Sequence, residues 1–302
     1  MPHTPLPCID GLLEETDKAI RTLARDPDGV TTVAELGDNL SRLEVLIGTH
    51  GHALALHRKQ GKRLTGLRRA IAPTRELETV RRRLTTLPRL SPDQQPAADW
   101  LATRLDVELG EQRAWLQREL PRRWKRTSGR LRRALAKGRK QQDESPSPVA
   151  TPATRRLLAD LTLALSRTTG PDDPHLDHAR QHGERLAILL GPAGEAAAGG
   201  ALQSIRDGLA HGHELERLTR HFRRLLPALC AEQTRARLDA VLAGEPRPPA
   251  EGELTTALLA LAERVHARRR EQFDDEIAPF IGAHAGTRLD AMATTLAEGE
   301  LP

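Results

Sequence analysis

One segment of this chain is written twice, and the repetition limits what the chain can fold into. RRAIAPTRELETVRRRL, from Arg68 to Leu84, and RDGLAHGHELERLTRHF, from Arg206 to Phe222, align without a gap. Arg68, Ala72, Glu76, Leu77, Glu78 and Arg82 return as Arg206, Ala210, Glu214, Leu215, Glu216 and Arg220. Ile71, Val80 and Leu84 return as Leu209, Leu218 and Phe222. A duplicated segment points to a duplicated structural unit, so a second match belongs upstream.

It is there. VAELGDNLSRLEVLI begins at Val33 and LDHARQHGERLAILL at Leu176. Val33, Leu36, Leu40, Leu43 and Ile47 recur at spacings of three and four, as do Leu176, Ala179, Gly183, Leu186 and Leu190. Each set is one apolar stripe on an amphipathic helix, with Leu43 and Leu186 in the same register. IDGLLEETDKAIRTLA and ATRRLLADLTLALSRT precede them. Both of these run into turns containing Asp and Pro, Asp26–Gly29 and Pro171–Pro174. Such turns supply an N-cap, and Pro174 suits a first helical position. Pro73 is expected near a helix N-terminus, where its missing amide costs little.

GRKQQDESPSPVATP, Gly138 to Pro152, has linker composition, and LPRLSPDQQP and GEPRPPAEGE break each half again. The chain therefore reads as all-α, with two tandem, pseudo-symmetric four-helix-bundle halves. Residues 1–140 form the first half, 141–152 the linker and 153–302 the second half. Six aromatic residues, none of them tyrosine, leave Leu, Ala, Val and Ile to build the core, which favours helices over strands. The same scarcity argues against base stacking, and so against sequence-specific nucleic-acid binding.

Cys8 and Cys230 are too few and too far apart for a secreted disulfide framework. No apolar run is long enough for a membrane span, and the N-terminus lacks the pattern of a signal peptide. A cytoplasmic protein that does not enter membranes is expected. P-loop, Rossmann, HExxH, CxxC and GxSxG motifs are absent from the sequence.

Charge is uneven. Between Arg113 and Lys140 stand 12 Lys or Arg and one acid, Glu119, a local charge of +11 on a chain of +5. Arg122, Arg126, Arg130, Arg133 and Lys137 form a stripe at helical spacing, with Leu120, Trp124, Leu131 and Leu135 opposite. Like charges one turn apart repel, so such a face meets an anion or is relieved by acids of a neighbouring helix. Glu76, Glu78, Glu214 and Glu216 are the acids available for that relief. Arg58, Lys62 and Arg63, after His50, His52 and His57, form a second basic group suited either to phosphate or to solvent. His175, His178 and His182 share one flank of a helix. They could hold a metal, contact an anion beside the helix N-terminus, or be a solvated flank. The solvated flank is the reading preferred here, and no metal or other cofactor is expected. His211 and His213 sit in a turn where packing is preferred to catalysis.

The repeat order and spacing resemble the CHAD domain, the conserved-histidine alpha-helical domain of polyphosphate-associated proteins. DPDGVTTVAELGDNLSRLE and DPHLDHARQHGERLA fall on its first motif, and LTGLRRAIAPTRELE and LQSIRDGLAHGHELE on its second. The resemblance implies two similar helical halves around a basic groove that takes inorganic polyphosphate. Arg42, Arg180 and Arg185 match cations of that groove. Ala34 and Asp177 stand where the family has histidine, and Gly37, Ser41, Glu184 and Ala187 replace basic residues. The expectation is a non-catalytic bundle that binds polyphosphate or another polyanion through Arg42, Arg58, Lys62, Arg63, Arg122, Arg126, Arg130, Arg133, Arg180 and Arg185. The alternative is a repurposed CHAD-like fold, an enzyme or small-molecule binder, in a pocket between the halves opened by the small residues Ala34, Gly37 and Ser41.

Overall fold

The computed structural model describes residues 5–25, 30–50, 58–139, 150–197, 200–244 and 252–281. The Asp26–Gly29 turn, His52, His57, the linker residues 140–149, most of GEPRPPAEGE and the side chain of Arg58 lie outside the described residues. The described residues form α1 (Pro5–Arg25), α2 (Val30–His50), α3 (Arg58–Thr85), α4 (Gln95–Arg139), α5 (Ala150–Arg167), α6 (His175–Ala197), α7 (Ala201–Ala243) and α8 (Gly252–Gln272). A π-helical turn, Phe273–Ile277, and a 3-10 turn, Ala278–Phe280, follow α8. The described residues contain no strand, and no described helix is long and apolar enough to cross a membrane.

The apolar stripes find their cores. Leu36, Leu40, Leu43 and Ile47 of α2 pack with α1, the first half of α3 and the second half of α4. Ala179 and Leu186 of α6 pack with α5, the start of α7 and the π turn. Leu43 and Leu186 are both fully buried, each in the core of its own half. The structure adds a third core that both halves build. Leu77, Val80 and Leu84 of α3 and Leu101, Leu105 and Leu109 of α4 meet Leu215, Leu218 and Phe222 of α7 and Leu258, Leu261 and Val265 of α8. Leu77 and Leu215, counterparts in the repeat, lie in this one cluster. The long helices α4 and α7, each spanning roughly 65 Å at the usual helical rise, pass from their own half's core into the joint one.

Pro73 is not at a helix start. It lies well inside α3, which extends upstream because Leu64, Leu67 and Ile71 have a core to enter. Burial of that face outweighs the lost backbone hydrogen bond, a cost of about 3 kcal/mol. Asp173 caps α6 as its turn composition suggests: its carboxylate accepts the His175 amide at 2.9 Å and the Thr169 amide at 2.9 Å. These bonds, the His175 amide foremost, hold its carboxyl far below the usual carboxylate range.

Candidate functional site

The two copies of the repeat face each other where α3 meets α7. Arg82 donates to Glu214 at 2.6 Å. Its counterpart Arg220 lies 3.9 Å from Glu76, the counterpart of Glu214, and donates to Glu216 at 2.7 Å. The exchange is reciprocal, the arginine of each copy held by the acid of the other. Arg75 pairs with Asp38 of α2. Arg113 of α4 meets Glu78 at 3.1 Å, with Glu78 buried and Arg113 nearly so. Burial pushes the Glu78 carboxyl up, and Arg113, Arg75 and Arg82 only partly pull it back.

On α6, Arg180 is shared between Asp177 at 2.7 Å and Glu184 at 2.6 Å. Burial raises the Asp177 carboxyl, but Arg180 and Gln181 together outweigh it and leave it below its ordinary value. For Glu216 the bond to His213 is the largest influence, and with Arg220 it brings the carboxyl down to about 2. Arg217 lies half-buried among these charges, and its buried Nε has no partner among the described residues. Burial lowers its pKa, Glu76 opposes this, and Arg180, Arg75 and Arg220 add to the lowering.

This arrangement corrects three expectations. The small residue Gly37 does not open a pocket. Arg75 fills the space, and a Cβ on Gly37 would stand 2.7 Å from its Nη1. Glu76, Glu78, Glu214 and Glu216 do not relieve the α4 stripe. Glu214 and Glu76 pair with Arg82 and Arg220 across the α3–α7 contact, Glu216 pairs with Arg220 on its own helix, and Glu78 pairs with Arg113 of α4, outside the stripe. Arg180 is not an open cation, because two carboxylates already occupy its guanidinium.

The α4 stripe faces outward. Leu120, Trp124, Leu131 and Leu135 are buried, while Arg122, Arg126, Arg130, Arg133 and Lys137 are exposed. Arg126, Arg130 and Lys137 form no ion pair with any described residue. Arg122 is 78% exposed and lies 3.9 Å from Glu119, at the limit of an ion pair. Among the described residues, Arg133 bonds only the Gly129 carbonyl of its own helix. Asp17 of α1 takes Arg132 and the Trp124 indole, which fastens the inner side of α4 and leaves the stripe free. Arg42, Lys62 and Arg185 are likewise exposed without an ion pair among the described residues, and Arg63 is half-buried. They lie on α2, α3 and α6, apart from the α4 stripe in the sequence.

The described pocket with the most apolar lining lies within the second half and not between the halves. Its walls come from the α5–α6 turn, α6, α7, the end of α8 and the π turn, including Leu176, Asp177, Gly212, Glu216, Gln272 and Phe273. It measures about 490 Å³ counted out to open solvent. No sequence pattern signals it beyond two glycines on one face of α7, Gly208 and Gly212.

The histidines of α6 are dispersed in their bonding. His175 Nδ1 lies 2.8 Å from Asp173, its ring meets that of His178 edge-on, and His182 Nδ1 is buried with no partner. Burial lowers the pKa of His182. Among the described residues, no three His, Cys, Asp or Glu side chains are grouped to hold a metal ion. His211 lies 3.1 Å from Glu276 of the π turn and His213 lies 3.2 Å from Glu216, so both help fasten the pocket wall.

Across nearly its whole length the chain matches the crystal structure of the CHAD domain from the plant Ricinus communis. The TM-score is 0.67, over 97% of this chain and 90% of that one, at 15% sequence identity. The fold is CHAD-like. No family model and no curated protein matches the sequence. In this fold α2 and α6 carry one pair of repeated segments and α3 and α7 the other, and the reciprocal ion pairs stand on the second pair.

Proposed function

We propose that this CHAD-like chain binds a flexible polyanion, of the inorganic polyphosphate class, along the outer face of α4. One observation carries the reading. Arg126, Arg130 and Lys137 lie exposed on one helical stripe with no carboxylate partner among the described residues. The stripe from Arg122 to Lys137 spans roughly 22 Å, a length that suits a linear chain of charges better than a single phosphate. The groove expected from the family resemblance is the weaker candidate: of its three matching cations Arg42 and Arg185 are exposed without an ion pair among the described residues, but Arg180 already has two acids, and Arg75, Arg82 and Arg220 on the neighbouring helices are also paired. Any anion there would have to displace those acids. Trp124 is buried and Trp115 lies under Arg123, so neither offers a bare platform for a nucleobase. The two cysteines are both exposed and free.

The test is a titration of the full chain with long-chain polyphosphate at several salt concentrations. Binding at low salt, with a log–log slope of a few units, is the expected result. Undetectable binding at low salt would end the proposal.

A further inference from the structure

The far end of α7 is apolar on two sides, and only one of them is covered by described residues. Leu225, Leu229 and Ala240 recur at helical spacing on the inward face, and all three are buried. Gln233 stands on the same face and accepts the Thr255 hydroxyl of α8 at 3.2 Å. Ala231, Thr234, Leu238, Val241 and Leu242 recur at spacings of three and four on the opposite face, and all five are exposed. The Thr234 hydroxyl donates to the Cys230 carbonyl at 2.8 Å, so its polar group is spent within the helix. A helix with apolar stripes on both faces is suited to cover on both.

The exposure is concentrated. Leu238 is 56%, Val241 47% and Leu242 76% exposed, half of the large apolar side chains left open among the described residues. Val107 and Leu163 stand singly on α4 and α5. Single apolar side chains on a surface are ordinary, but three gathered on adjacent turns of one face form a patch of the kind that takes a partner.

The flanking charges name that partner. Arg235 and Asp239 lie one turn apart on one flank of the stripe, both exposed, and neither forms an ion pair with a described residue. Two such helix ends packed antiparallel about a two-fold axis lay the same flank of each side by side. Arg235 of one copy then comes within a turn of Asp239 of the other, and the match is made twice. The opposite flank carries Arg237 and no acid, so a parallel pairing, which sets unlike flanks together, lacks the match.

We infer that the outer face of the last turns of α7 is an interface between two copies of this chain, packed antiparallel, with Leu238, Val241 and Leu242 covered and Arg235 of each copy paired with Asp239 of the other. The face spans roughly 17 Å of helix, which makes a small interface and a reversible dimer. The inference is independent of the polyanion reading. Arg104 meets Glu232 at 3.2 Å, which sets this face beside the start of α4, away from the stripe that ends at Lys137.

Sedimentation velocity of the full chain over a concentration series tests it. The parent is expected to pass from monomer to dimer with a Kd of about 10–100 µM. Leu238→Glu with Leu242→Glu, on the side of the helix away from the core, should keep the parent's helical content and thermal unfolding and stay monomeric throughout. Arg235→Asp and Asp239→Arg should each weaken the dimer severalfold, and the two together should restore it. A parent that stays monomeric at about 0.5 mM would overturn the inference, as would unchanged dimerisation in the Leu238/Leu242 variant. A double charge variant no tighter than the single ones would overturn the antiparallel pairing.

Discussion

Arg126 and Arg130 on the outer face of α4 have no carboxylate among the described residues, whereas Arg82 and Arg220, between the copies of the repeat, each face a glutamate of the other copy. The residue type is the same and the surroundings are opposite. Arginine content alone therefore does not locate an anion site. What matters is whether the fold has already supplied the counter-charge. Where the halves meet it has for Arg82 and Arg220, although Arg217 beside them keeps an Nε unpartnered among the described residues. Along α4 it has not, and the repulsion within the stripe stays available to a ligand.

The sharpest way to break this comparison is to remove an acid from the neutralised region. Glu78 is buried and Arg113 nearly so, and Glu78→Ala takes this carboxylate from the guanidinium. The expected loss is about 3 kcal/mol in urea unfolding. Removing two cations from the open face, Arg126→Gln with Arg130→Gln, should shift stability by less than about 0.5 kcal/mol. Comparable losses in the two variants would erase the distinction between the regions.

A smaller effect is expected in acid. The folded-state pKa of Glu216, about 2, lies below the ordinary 4.5, so the unfolded chain takes up its proton first. The stability this contributes is fully present above about pH 4.5 and is lost as the pH falls towards 2. The group is partly exposed, and screening reduces the contribution to about 1 kcal/mol. Glu216→Gln should flatten the thermal-stability profile between pH 4.5 and 2.5 by that amount. A profile as steep as the parent's would mean that His213 and Arg220 do not hold this carboxylate.

Much of the fold was legible in the sequence because periodicity reports which face of a helix is buried. Leu36, Leu40 and Leu43 fall on the core as their spacing requires. The joint core was not legible. Leu77 and Leu215 show an apolar stripe, but nothing in their spacing says that the two stripes meet each other. Reciprocal pairs such as Arg82 with Glu214 join residues far apart in sequence, and their charges read equally well as solvated. Pro73 misled because proline reports a local preference, and tertiary burial of Leu64 and Leu67 overrode it. The basic stripe of α4 was visible in full, since exposure on one face follows from helical spacing. The pocket was not, because it depends on how closely Gly208 lets the π turn approach α7.

The most direct test of the account places equal charge losses in the two regions. Polyphosphate is titrated at several salt concentrations into the parent, into Arg126→Gln/Arg130→Gln, and into Arg75→Gln/Arg220→Gln. The account predicts that the α4 pair weakens binding and flattens the log–log salt slope by about one to two units, while the inter-half pair keeps the parent's slope. A flattened slope in the inter-half variant with a parent-like slope in the α4 variant would contradict it, and would return the polyanion to the groove between the halves.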